Sequence, residues 1–67
     1  MSRKDYQMLA IVFGKTLARH AGEGEERAIW DAVHLFEEQA LLDNPRFDIF
    51  KFEIAIREEE FSSRARV

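Results

Sequence analysis

Tyr6, Leu9, Ala10, Phe13 and Leu17 recur at i, i+3, i+4, i+7 and i+11, a spacing that places all five on one face of a helix. Ser2 stands ahead of this stripe with a hydroxyl able to cap the helix. Asp5 follows three residues later, approximating a capping box. Arg19 and His20 fall where positive charge suits the end of the helix dipole, and Gly22 is the expected C-terminal stop. A second helix is expected after "GEGEE". Glu23, Glu25 and Glu26 favour its N-terminus, and Ile29, Val33, Phe36 and Ala40, joined by Ala32, form its inward stripe. Pro45 disfavours helical geometry at Asn44, so this helix must stop by about Asp43. The short "AGEGE" link implies that the two helices form an antiparallel hairpin.

The stretch "DNPRFDIFKFEIAIREEE", Asp43 to Glu60, admits two readings. Phe50, Phe52, Ile54 and Ile56 alternate with their neighbours as a half-buried strand would. No other segment resembles a strand, however, and a lone strand leaves its backbone donors and acceptors unpaired unless it meets its own copy. As a helix the same stretch has Asp48 as N-cap, with Phe47 and Phe52 at the two positions of a hydrophobic staple. Glu53 and Arg57 add an i, i+4 pair in the favourable order. The fold class expected is therefore all-α: an antiparallel helical hairpin plus a short C-terminal helix. Residues 1–61 form the single three-helix domain and residues 62–67, "SSRARV", a flexible tail.

Sixty-seven residues without cysteine leave only one small core to offset chain entropy. The apolar side chains exceed what such a core can take. Met8, Ile11 and Val12 point away from the inner face of the first helix, and Trp30 and Leu41 flank the stripe of the second. In the third, Ile49, Phe52 and Ile56 make one face while Phe50, Ile54 and Phe61 make another. Burying one large apolar side chain is worth roughly 1.5–3 kcal/mol, so leaving several exposed forfeits much of a marginal stability. Self-association as a homodimer is expected, with Trp30, Phe50, Ile54 and Phe61 as the partner-binding residues.

Little in the sequence points to chemistry. Ser2, Ser62 and Ser63 lie near the ends with no base close in sequence, and Gly14, Gly22 and Gly24 match no phosphate-binding loop. Gly14 sits inside the first helix, where close packing against a neighbouring helix would explain it. His34 lies three or four residues from Asp31, Glu37 and Glu38, a cluster read as a solvated acidic face rather than a metal site. Glu58, Glu59 and Glu60 are read as a solvated helix end. No catalytic residue, cofactor, metal or small-molecule substrate is expected. Residues 1–22 carry a net charge of +3 and residues 23–43 one of −6, which favours their adjacency. Arg3, Lys4, Lys15 and Arg19, with Arg64 and Arg66 in the tail, offer an alternative: nucleic-acid binding through a basic face of the first helix. The longest apolar run, Met8 to Phe13, is far short of the roughly 20 residues that span a bilayer. No signal-like region follows the charged N-terminus. A cytoplasmic, unprocessed protein is expected.

"SRKDYQMLA" and "DNPRFDIFKFEIAI" resemble the two ends of a group of small uncharacterised proteins encoded by phages of actinobacteria. Members open with an "RKxY" helix and carry "DNPRFD" before a short Phe-containing helix. Arg3, Lys4 and Tyr6 match the first motif and Asp43 through Asp48 the second, while the middle with "GEGEE" matches no such pattern. The resemblance implies an accessory protein of the infected cell with a host protein as a further partner. It carries no catalytic residues.

Overall fold

The computed structural model describes residues 1–20 and 22–65. Three α-helices make up the fold: α1 Arg3–Arg19, α2 Glu23–Asp43 and α3 Ile49–Ala65, with no strand among the described residues. The strand reading of the third segment is thereby excluded.

Each helix starts where local chemistry places it. The Ser2 backbone N–H donates to Asp5 Oδ2 at 2.8 Å and the Asp5 N–H to Ser2 Oγ at 3.4 Å, closing the capping box. The Ser2 N–H and the Ser2 hydroxyl, which also donates to Asp5 Oδ2 at 3.1 Å, hold the Asp5 carboxyl below its usual pKa. At the start of α3 the Lys51 N–H donates to Asp48 Oδ1 at 3.1 Å, and the Phe47 and Phe52 rings meet with centroids 5.4 Å apart, completing the staple. Asn44 is extended, as its position before Pro45 requires, and its carbonyl accepts the Phe47 N–H at 2.9 Å in a tight turn. Gly22 differs from expectation. Helix α1 ends instead at an extended His20, and Gly22, also extended, is the N-cap of α2. The Gly22 carbonyl accepts the Glu26 N–H, so the residue begins one helix rather than closing the other.

The helices run up, down and up. The Met1 ammonium meets Asp43 and His20 meets Glu25 at opposite ends of the α1–α2 pair, which is antiparallel. Tyr6 packs on Phe47 and Arg64 reaches Leu17, so α1 and α3 run parallel. The closest backbone approach is between α1 and α3 rather than within the hairpin. Small buried residues Ala10 and Gly14 permit it, and Gly14 lies directly against the Ile56 carbonyl and the Glu59 side chain. Helix α2 meets the other two through larger side chains. The Phe36 ring lies 5.4 Å from Phe52 and 6.3 Å from Phe13, within a cluster that also holds Tyr6 and Phe47. Leu17, Val33 and Ile56 are the largest fully buried side chains.

Helix α3 is not short, and Ser62 to Ala65 are helical rather than a flexible tail. Arg66 and Val67, the remainder of that expected tail, lie outside the described residues, as does Ala21 of the expected link. The cause is Arg64. Its guanidinium donates to the Leu17 carbonyl at 3.2 Å, to Glu26 at 3.2 Å and to Glu60 at 2.9 Å, joining all three helices at one end. Glu58 to Glu60 therefore lie inside a helix rather than at its end. Glu59 accepts from Ser63 and Glu60 from Arg64, each four residues on.

Candidate functional site

Two regions stand out, one apolar and exposed, the other a cluster of titratable side chains around the buried Glu37. Phe50, Ile54 and Phe61 follow one another at i, i+4 and i+11 along the outer side of α3 and are 78%, 46% and 76% exposed. They are turned outward because Phe52 and Ile56 occupy the inner side of the same helix. A shallow depression of about 500 Å³ opens among Ile54, Arg57, Glu58, Phe61 and Ser62. Glu58 and Ser62 also border a second groove that reaches Ile11 on α1, itself exposed. Met8 and Val12 on α1 are exposed as well. Trp30 does not share the α3 stripe. It is half-buried against the core, with the Arg57 guanidinium stacked 4.8 Å from its ring centroid.

That stacking explains why Arg57 does not form the expected pair with Glu53. Glu53 turns instead toward α2, where its Oε2 lies 3.8 Å from His34 Nε2. Beside it is Glu37, which sequence reasoning placed on a solvated face. Glu37 is only 4% exposed, and its Oε2 is buried with no hydrogen-bond partner. Burial pushes its carboxyl up to about 8, and the neighbouring Glu53 carboxyl adds to the shift. Near neutrality Glu37 is thus mostly protonated. One donor atom from each of His34, Glu37 and Glu53 lies within 4.8 Å of the other two. The signal for this burial was present in the sequence. Val33, Glu37 and Ala40 follow at i, i+4 and i+7, so the period of the inward stripe passes through Glu37.

Arg3, Lys4, Lys15 and Arg19 are all exposed on α1, and none enters an ion pair among the described residues. Arg3 borders an open cleft of about 630 Å³ together with Arg46 and Lys51. Arg64 is not free for such a surface, being held by Glu26, Glu60 and Leu17. Arg66 lies outside the described residues. No helix among the described residues is long and apolar enough to cross a membrane. Comparison with known proteins places no constraint on these regions: no family model, curated protein or solved structure matches the chain.

Proposed function

We propose that this chain is a contact module that works by protein association rather than by catalysis, pairing with a second copy of itself through the outer side of α3. The observation that carries this reading is the stripe of Phe50, Ile54 and Phe61, three large apolar side chains left to solvent on one helix. In a two-fold pair each copy would present the same stripe, so a single helix face supplies both halves of the contact. Aromatic groups of this kind dominate association energetics, and Arg57 and Glu58 at the edge of the stripe would form a polar rim. The resemblance to actinobacterial phage proteins extends the proposal to a host protein as a further partner.

Sedimentation velocity tests it. The wild-type chain is expected to sediment as a dimer at micromolar concentration. Ile54→Glu and Phe61→Glu should each weaken association by about 30-fold or more, the loss typical of a central contact residue. Helical circular dichroism should be unchanged, because both positions are exposed. A folded wild-type monomer at high micromolar concentration would overturn the proposal.

The second reading, nucleic-acid binding, is favoured by the unpaired exposure of Lys4, Lys15 and Arg19 along α1. Fluorescence polarisation on duplex DNA decides it. Binding that weakens steeply with salt and disappears when these three residues are replaced would displace the first reading.

A further inference from the structure

We propose that His34, Glu37 and Glu53 form a site for one zinc-class divalent cation that ties α2 to α3. Three observations lead there. The first is donor chemistry: one imidazole nitrogen and two carboxylates, a set that suits zinc or cobalt with a fourth position left to water. An imidazole donor and only three protein ligands argue against calcium or magnesium, which take oxygen donors. The second is placement. His34 and Glu37 are three residues apart on one turn of α2, and Glu53 comes from α3, so the donors converge from two helices.

The third observation is independent of clustering. Glu37 Oε2 is buried and makes no hydrogen bond, and a buried polar oxygen left without a partner is uncommon. Aspartate and glutamate side chains are seldom buried unless paired or bound to a metal. A bound cation would supply the partner this oxygen lacks.

The geometry needs a modest contraction. Donors around a tetrahedral zinc ion lie about 3.3 Å apart, as bond lengths of roughly 2.0–2.2 Å require. The His34–Glu53 distance is already 3.8 Å and the widest of the set is within 4.8 Å. His34 is exposed and Glu53 half-buried, so both side chains are free to close on the fixed Glu37. Asp31 and Glu38 on α2 add exposed negative charge nearby in sequence, while Arg57 is drawn away onto Trp30. Trp30, the one tryptophan of the chain, also provides a reporter, since its ring centroid lies 5.9 Å from that of His34.

The test is titration of the tag-free, chelator-treated chain with Zn²⁺ by calorimetry and with Co²⁺ by Trp30 fluorescence. The expected result is one ion per chain with micromolar or tighter affinity, quenching by Co²⁺, and a melting temperature raised by Zn²⁺. Loss of a group just outside a ligand shell already costs about 10–100-fold in affinity, so His34→Ala and Glu37→Gln should each cost no less. Both variants should fold, because His34 is exposed and glutamine resembles the protonated Glu37 in shape. His20→Ala serves as the control, because the surface pair of His20 and Glu25 is the competing place for an ion. Three results would overturn the site: no saturable binding below millimolar ion, affinity lost in His20→Ala, or affinity retained in either His34→Ala or Glu37→Gln.

Discussion

Gly14→Ala is expected to destabilise the fold by roughly 2 kcal/mol, against the direction that helix propensity alone predicts. Alanine in the middle of a helix gains up to about 1 kcal/mol over glycine. A Cβ at position 14, however, would lie 2.6 Å from Glu59 Cβ and 2.7 Å from the Ile56 carbonyl oxygen. The Glu59 Cβ is fixed by the α3 backbone and the carbonyl is part of it, so no rotamer relieves either clash. The helices must separate, and overpacking of this kind costs about 1–3 kcal/mol or more. Separation also loosens Leu17 and Ile56, which are fully buried. A domain of this size has only roughly 3–10 kcal/mol of stability, so the loss is a large fraction of the whole. Gly24→Ala is the matched control. Nothing lies within 4 Å of a Cβ there, and the same exchange should be neutral or stabilise by a few tenths of a kcal/mol. Urea midpoints for the two variants, measured side by side, check both signs.

The second large effect is a loss of stability as pH rises from mildly acidic to alkaline. The Glu37 carboxyl is raised from 4.5 to about 8 in the folded chain. Between those values the folded state holds a proton that the unfolded state has released, so stability falls as pH rises and levels off above about 8. The Asp5 carboxyl, lowered by its bonds to Ser2, works the other way: its contribution is present above its ordinary pKa and fades in acid. Stability should therefore peak on the mildly acidic side. In metal-free buffer the wild-type chain should lose on the order of 3 kcal/mol between about pH 5 and pH 9. Glu37→Gln keeps the shape of the protonated group and cannot ionise. It should flatten the profile and exceed the wild type in alkali. Chemical denaturation across pH checks this, and a wild-type profile as flat as that of Glu37→Gln would contradict the buried, protonated carboxyl.

What could be read from the sequence was local. The Ser2 cap, the Asp48 cap, the Phe47–Phe52 staple and the break at Asn44-Pro45 each depend on residues within a turn or two of one another, and all stand in the structure. The two-sided character of α3 was equally legible, because it follows from helical spacing. The missed features depend on distant partners. Arg64 orders the end of α3 through the Leu17 carbonyl 47 positions away, which no local pattern announces. Glu53 had a suitable partner in Arg57, but Trp30 claims that arginine and leaves Glu53 to face His34 and Glu37. Glu37 is the instructive case. Its position in the inward stripe was visible, and its charge led to the opposite placement.

The α3 contact is tested most directly by isotope-filtered NMR on a mixture of labelled and unlabelled chains, which detects only contacts between copies. The proposed pairing predicts intermolecular cross-peaks from the Phe50 and Phe61 rings and the Ile54 methyls, with none from Leu35 or Leu42, exposed on α2. Cross-peaks confined to α2, or their absence at concentrations where the chain is folded, would contradict it.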